Sequence, residues 1–165
     1  MTVLLFFFLL VFPVAAQEAH EICASCHKLQ ATDFQSHPHA KQQINCGTCH
    51  GESETHSSTN GGSPPDRVPA GYELPAECGA CHTDAQKDYS ASKHGVTVLA
   101  RGQKLAAHCG TCHGVHAPRT LAQMKVQCNR CHEKLAEPHP PVPPSETAQV
   151  CFTCHNNHTL KTAAR

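Results

Sequence analysis

The chain has 165 residues, with 12 cysteines and 15 histidines but no tryptophan and only two tyrosines. Lysine plus arginine and aspartate plus glutamate number 13 each, so the formal net charge is zero and the composition excludes a polybasic nucleic-acid-binding protein. A domain of this length normally buries about two thirds of its unfolded surface. Because large apolar side chains are few, something other than side chains must supply much of the core.

The N-terminus begins with an apolar run, residues 2–11, followed by Pro13 and the small residues Val14 to Ala16. This pattern is typical of a secretory signal peptide over residues 1–16, with cleavage after Ala16. A membrane anchor is the alternative, although about 11 apolar residues are fewer than the roughly 20 that a spanning helix needs. We therefore expect an exported mature chain, from Gln17 onwards, without a transmembrane span.

Every cysteine lies in a C-x-x-C pair, and a histidine directly follows every pair. Paired cysteines can form zinc sites or redox-active dithiols, but neither requires that histidine. Attachment of c-type haem does use it, because the thiols bind the haem and the adjacent imidazole binds one face of the iron. The sequence therefore predicts six haems c. The predicted attachment cysteines are Cys23, Cys26, Cys46, Cys49, Cys78, Cys81, Cys109, Cys112, Cys128, Cys131, Cys151 and Cys154, and the proximal ligands are His27, His50, His82, His113, His132 and His155.

The motifs form three pairs, whose first cysteines are separated by 23, 31 and 23 residues. Each pair has a histidine between its motifs and another shortly after the second motif. This repeat predicts three tandem di-haem modules, with a linker loop rich in Gly, Ser and Pro between the first two. The predicted modules are residues 17–56, 77–116 and 117–165, and the linker is residues 57–76.

Regular structure is expected to be sparse. The best internal helix candidate is DAQKDYSASKH, residues 84–94, which ends before Gly95. The segment EPHPPVPPSE, residues 137–146, cannot be helical because of its prolines. The predicted fold class is mostly irregular, with short α-helices at and between the attachment motifs, around a core packed with haem.

The remaining histidines are candidates for the second axial position of each iron. Methionine cannot fill these positions generally, because Met124 is the only one after the signal peptide. The repeat selects one histidine between the motifs of each pair and one after them. These candidate distal ligands are His37 or His39, His94 and His139 in the middle positions, and His56, His116 and His158 in the trailing positions. His20, His108 and one of His37 and His39 are left over.

The spacing of the trailing histidines carries a further expectation. His113 and His116 are three residues apart, which places them on the same side of a helical turn. Two trans ligands must reach the iron from opposite faces, so these two cannot serve one haem. The same holds for His155 and His158. His116 and His158 are therefore expected to ligate a neighbouring haem.

The order CxxCH, SxH, CxxCHGxxH resembles the di-haem repeat of multihaem c-type cytochromes, including periplasmic pentahaem and decahaem electron-transfer proteins. The match is formed by SASKH with CGTCHGVH, residues 90–94 and 109–116, and less closely by FQSHPH with CGTCHGESETH, residues 34–39 and 46–56. The third module lacks the aromatic-SxH element.

This resemblance implies extracytoplasmic electron transfer in anaerobic respiration, in the periplasm or outside the cell. Its partners would be redox proteins, an outer-membrane porin–cytochrome conduit, or copies of the same chain in a filament, where His20 would suit ligation of a neighbour's haem. The alternative is a reductase of nitrite, hydroxylamine or a sulfur oxyanion, which needs an iron with an open position. No motif carries the lysine that often marks such a site, so an enzyme is not expected.

Overall fold

The computed structural model describes residues 21–135 and 138–163, so the predicted signal peptide and His20 lie outside the described part. Short helices joined by irregular segments make up this part, and its only β pairing is one bridge between His155 and Thr162. After a helical stretch at residues 21–26, the helices are Lys28–Gln35, Pro38–Lys41, Cys46–His50, Glu54–Ser58, Leu74–Gly79, Thr83–Ser90, Lys93–Gly95, Cys109–His113, Leu121–His132 and Gln149–Phe152. A 3₁₀ turn spans Gly71–Glu73 and a π turn spans Val96–Ala100. The predicted fold class is confirmed.

The predicted helix over residues 84–94 is interrupted. The chain is helical over Thr83–Ser90 and again over Lys93–Gly95, with Ser92 extended between them. The Ser92 hydroxyl, fully buried, accepts a hydrogen bond from the Gly95 amide at 2.9 Å and so starts a second helix. A Cβ at Gly95 would lie 1.9 Å from the Tyr89 carbonyl oxygen, so the glycine permits this close approach.

The predicted linker loop is irregular over residues 59–70 but helical at both ends. Its first turn belongs to the helix Glu54–Ser58, and Pro75 occupies the second position of the helix Leu74–Gly79, where its missing N–H costs nothing. The segment folds back on the preceding motif. The Asp66 carboxylate accepts a hydrogen bond from the Ser53 amide at 2.7 Å, which ties the loop to the chain after Cys46–His50.

The segment after the longest helix, Leu121–His132, is irregular from Pro138 to Glu146, as its prolines predict. The Thr120 hydroxyl accepts from the Gln123 amide and the Gln123 side chain accepts from the Thr120 amide, which gives this helix a reciprocal cap. The motif Cys128–His132 therefore lies at the C-terminal end of a helix whose N-terminus is capped.

The apolar core among the described residues is small. Its buried members are Ala31, Leu74, Tyr89, Val98, Met124 and Ala148. Several large apolar side chains are exposed instead, among them Leu29, Val68 and Val126, which are 58 to 69% accessible. The small number of buried side chains agrees with the prediction that side chains alone do not supply the core. No helix in the described ranges is long and apolar enough to cross a membrane.

Candidate haem sites

The second and fourth motifs form five-residue helices with matching ends. The helix Cys46–His50 begins at Asn45, whose side chain accepts from the Thr48 amide at 3.1 Å. In the helix Cys109–His113, the Thr111 hydroxyl accepts from the His108 amide at 3.2 Å. Both helices end in a glycine with positive φ, 76° at Gly51 and 78° at Gly114, a conformation that side chains disfavour.

Each motif histidine lies opposite one other histidine, with ring centroids 5.8 to 6.2 Å apart. The six pairs are His27 with His56, His50 with His116, His82 with His39, His113 with His158, His132 with His94, and His155 with His139. Every pair combines one predicted proximal ligand with one predicted distal ligand. We name each site after its motif histidine, for example the His50 site.

The separations fit an iron between the rings. With each Nε2 about 2 Å from the metal, the nitrogens would be about 4 Å apart and the ring centroids about 6 Å apart. The Nε2 atoms of His39 and His82 are 3.5 Å apart, so an iron at that site would move the rings slightly outwards. Each pair is therefore spaced so that its two imidazoles could bind one haem iron from opposite faces.

The donor side chains converge in twos. In residues 21–135 and 138–163, no three His, Cys, Asp or Glu side chains meet as a metal site, and all 12 cysteines are free thiols. A structural zinc ion takes four protein ligands, whereas haem iron takes two axial ligands from the protein. The donor set therefore fits haem better than zinc.

Four of the six pairs join different modules of the sequence repeat. His39 of the first module faces His82 of the second, and His94 of the second faces His132 of the third. The pairs of His50 and His113 also cross module boundaries. The repeated order of motifs and histidines is thus not repeated in the ring pairing.

The trailing histidines behave as their spacing requires. His116 does not face His113 but lies opposite His50, with ring centroids 6.0 Å apart. His158 lies opposite His113 rather than His155, at 5.9 Å. Each therefore meets a site in an earlier module, while its neighbouring motif histidine belongs to another site.

Of the leftover histidines, His37 caps a helix. Its Nδ1 accepts a hydrogen bond from the His39 amide at 3.1 Å at the start of Pro38–Lys41, and His39 is the ring that faces His82. His108 is partly buried, and its Nδ1 is a buried atom without a hydrogen-bond partner among the residues described. No motif histidine in the described ranges faces either of these rings.

The attachment cysteines place the motifs in a row. The Cys23 and Cys46 thiols are hydrogen-bonded, as are Cys78 and Cys109. Cys49 lies near Cys78, Cys112 near Cys128, and Cys128 near Cys151, close enough for a negative charge on the second thiol to raise the pKa of the first. Attachment points that follow one another in sequence are thus also neighbours in space, from the first motif to the sixth.

The hydrogen bond between Cys78 and Cys109 separates their acidities. The Cys109 thiol donates to Cys78, which lowers the pKa of Cys78 to about 7, and the same bond followed by burial raises the pKa of Cys109.

Burial keeps several paired imidazoles neutral. The pKa values of His94, His113 and His116 are lowered first by burial and then by the positive charge that a facing imidazole would carry, His132, His158 and His50 respectively. Only a neutral imidazole can bind a metal. These pKa shifts therefore favour the ligating form.

Backbone carbonyls orient four of the paired rings. Each accepts a hydrogen bond from an Nδ1–H, which leaves Nε2 free of a proton and able to bind metal. The bonds are His50 to Arg67 at 2.9 Å, His56 to Ser63 at 2.7 Å, His139 to Pro140 at 2.7 Å, and His155 to Leu160 at 2.9 Å. The His155 site has such a bond on both rings.

Sequence reasoning missed two arginines. Arg67 donates to the carbonyls of Cys49 and Thr48, and Arg119 donates to those of Gly110 and Thr111. Each guanidinium thus holds a motif helix, but the arginines follow their motifs at different distances. The one sequence feature that could have pointed to these arginines is that the segments they hold are identical, CGTCHG.

Comparison with known families gives one match. The model of the family described as cytochrome c7 and related cytochrome c matches residues 32–114, which is half of the chain. This range includes the second, third and fourth attachment motifs. No curated protein and no solved structure was found to be similar to the chain.

Proposed function

The chain belongs to the family of cytochrome c7 and related cytochrome c, and on that premise we propose that it is a hexahaem electron-transfer protein. The observation that carries this proposal is the set of six imidazole pairs, one for each CxxCH motif. A haem c iron held by two imidazoles takes up or releases one electron without any bond being made or broken. Electron transfer needs no more than this from the site.

The residues of the chain have three tasks in this function. The cysteines hold the haems in covalent positions, the paired histidines occupy both axial faces, and the row of motifs sets the order of the sites. Because Cys23 contacts Cys46 and Cys78 contacts Cys109, neighbouring haems would lie close together. This arrangement supports a relay that runs from the His27 site to the His155 site.

The alternative is a reductase of nitrite, hydroxylamine or a sulfur oxyanion. Such an enzyme needs an iron with an open position for its substrate. At each motif the second face is instead directed at an imidazole of the same chain. This favours electron transfer without a substrate site.

The same pairing bears on self-assembly. Cross-ligation by His20 in a filament would need an iron whose second position is unused, and each motif histidine already faces a histidine of its own chain. We therefore favour a relay that exchanges electrons with separate redox proteins, in the periplasm or at the cell surface during anaerobic respiration. A conduit at the outer membrane is compatible with this role.

The test is the haem content and coordination of the intact protein, expressed in a host that attaches haem c. We expect six haems per chain by intact mass, wholly low-spin spectra, and reversible reduction at an electrode. Fewer than six haems would contradict the hexahaem proposal. A high-spin haem with turnover of nitrite or hydroxylamine would favour the reductase.

A further inference from the structure

The second and fourth motifs share the sequence CGTCHG, residues 46–51 and 109–114. In each of them an arginine from later in the chain clamps the motif helix through hydrogen bonds to backbone carbonyls. The Arg67 amide donates to the His50 carbonyl at 3.2 Å, and the Arg119 amide donates to the His113 carbonyl at 2.9 Å. Their side chains then reach back to the helix. Arg67 donates to Cys49 and Thr48 at 2.8 and 3.1 Å, and Arg119 donates to Gly110 and, at 3.0 Å, to Thr111.

Helix carbonyls near a C-terminus lack partners within the helix and carry partial negative charge. A five-residue helix satisfies few of them alone, and each guanidinium supplies further donors; the Gly110 carbonyl also accepts from the Gly114 amide at 3.1 Å. In both motifs the clamp acts on the backbone that carries the attachment cysteines and the proximal histidine. Arg67 and Arg119 thus hold corresponding helices and share the carbonyl of the motif threonine, although their second acceptors differ.

The two arginines differ in charge compensation. Arg67 forms an ion pair with Glu77, at 2.9 Å, and its side chain is 49% exposed. Arg119 is partly buried, and no carboxylate in residues 21–135 or 138–163 forms an ion pair with it. Water and a counter-charge weaken the field of Arg67, whereas the field of Arg119 is less screened.

The two proximal histidines also differ, in the hydrogen bonding of their Nδ1 atoms. His50 donates its Nδ1–H to the Arg67 carbonyl at 2.9 Å, which makes the imidazole a stronger electron donor to a metal. His113 has no such carbonyl partner in the described part of the chain. A more basic ligand stabilises the oxidised iron and so lowers the potential.

We propose that Arg67 and Arg119 are matched positioning residues that give two sites with identical motifs different reduction potentials, with the higher potential at the His113 site. This inference rests on the proposed electron-transfer function. Reduction adds one electron and so one negative charge to the site, with no proton or leaving group. The uncompensated charge of Arg119 favours that added electron, whereas Glu77 cancels most of the effect of Arg67.

The test is a redox titration of the six-haem protein and its variants, fitted as one-electron steps. We expect Arg119→Gln to lower one reduction equilibrium constant about tenfold, which corresponds to about 59 mV for one electron. Arg67→Gln should change every step less than threefold. Glu77→Gln exposes the charge of Arg67 and should shift one step in the opposite direction to Arg119→Gln.

Two further variants separate charge from geometry and identify the site. Arg119→Lys keeps the charge but loses the double contact with the helix. The reduction potential of the step that Arg119→Gln lowers should therefore stay close to that of the unchanged protein. A purely structural role would instead make the Lys and Gln variants alike. His158→Met should raise the potential of the same step that Arg119→Gln lowers, since methionine ligation raises haem potentials.

The outcomes distinguish this inference from the proposed function. Six low-spin haems with equal responses to Arg67→Gln and Arg119→Gln, or with none, would overturn the tuning role alone. A protein without six low-spin haems would overturn the proposed function first. Haem content and the low-spin spectrum, measured for every variant, exclude misfolding as the cause of a shift.

Discussion

His39 and His82 lie 43 residues apart in the sequence, and their Nε2 atoms are 3.5 Å apart. His37, two residues before His39, points its Nδ1 at the backbone instead and caps a helix. The repeat alone left the choice between these two histidines open. The pairing makes them functionally different and leads to the first prediction.

Replacing His39 by alanine should convert one haem of the six to high spin, because the His82 site loses its facing ring. The matched change His37→Ala should leave all six haems low-spin and cost about 1 kcal/mol of stability for the lost hydrogen bond. Electron paramagnetic resonance measures the first effect and denaturant unfolding the second. The reverse pattern would show that His37 is the ligand.

Replacing His116 by alanine should open the His50 site rather than the adjacent His113 site, because the ring of His116 faces His50. We expect one high-spin haem in this variant. If Cys46 and Cys49 are also changed to alanine, that haem is absent and the high-spin signal should disappear with it. A signal that persists in the triple variant would contradict the pairing.

The protein should lose stability as the pH falls below about 6.5. Burial lowers the pKa values of His94, His113 and His116 in the folded chain, whereas unfolded histidine titrates near 6.5. The unfolded state therefore binds more protons in the window below that pH, which favours unfolding. Denaturant midpoints at pH 7.5 and 5.5 measure the loss. Between pH 7.5 and 8.5 the midpoint should not change through these histidines, because they are neutral in both the folded and the unfolded state.

Gly95→Ala should destabilise the protein and displace His94, because the new Cβ would lie 1.9 Å from the Tyr89 carbonyl oxygen. We expect a loss on the order of 1–3 kcal/mol, as for overpacked cores, together with a high-spin fraction at the His132 site. Gly47→Ala is the control, since its nearest neighbour would be a side-chain atom at 3.4 Å. Thermal unfolding and the haem spectrum of both variants measure the difference.

The sequence predicts the attachment sites because their chemistry is local. Two thiols and an imidazole within five residues are enough to define a haem c motif, whatever path the chain follows. The helix predicted over residues 84–94 is interrupted for the opposite reason. Ser92 and Gly95 form a cap whose stability depends on burial against Tyr89, which helix propensity does not report.

The ring pairs could be predicted only in part. Spacing predicts that His113 and His116 do not share a site, because that argument needs only the geometry of one turn, and in the structure these two rings face different partners. Which distant motif each distal histidine meets depends on how the chain winds between modules. His94 faces His132 and not a motif histidine of its own module, although in the sequence it lies between the two motifs of that module.

The sequence by itself determined the number of CxxCH motifs, the histidines predicted as proximal ligands and the need for a core not made of side chains. Only the tertiary structure decided which histidine faces each motif histidine and which carbonyls Arg67 and Arg119 contact. The physical reason is the sequence separation of the groups that interact. Thioether attachment needs only residues that follow one another in the chain, whereas a facing histidine or a guanidinium clamp requires the fold to bring distant segments within a few ångströms.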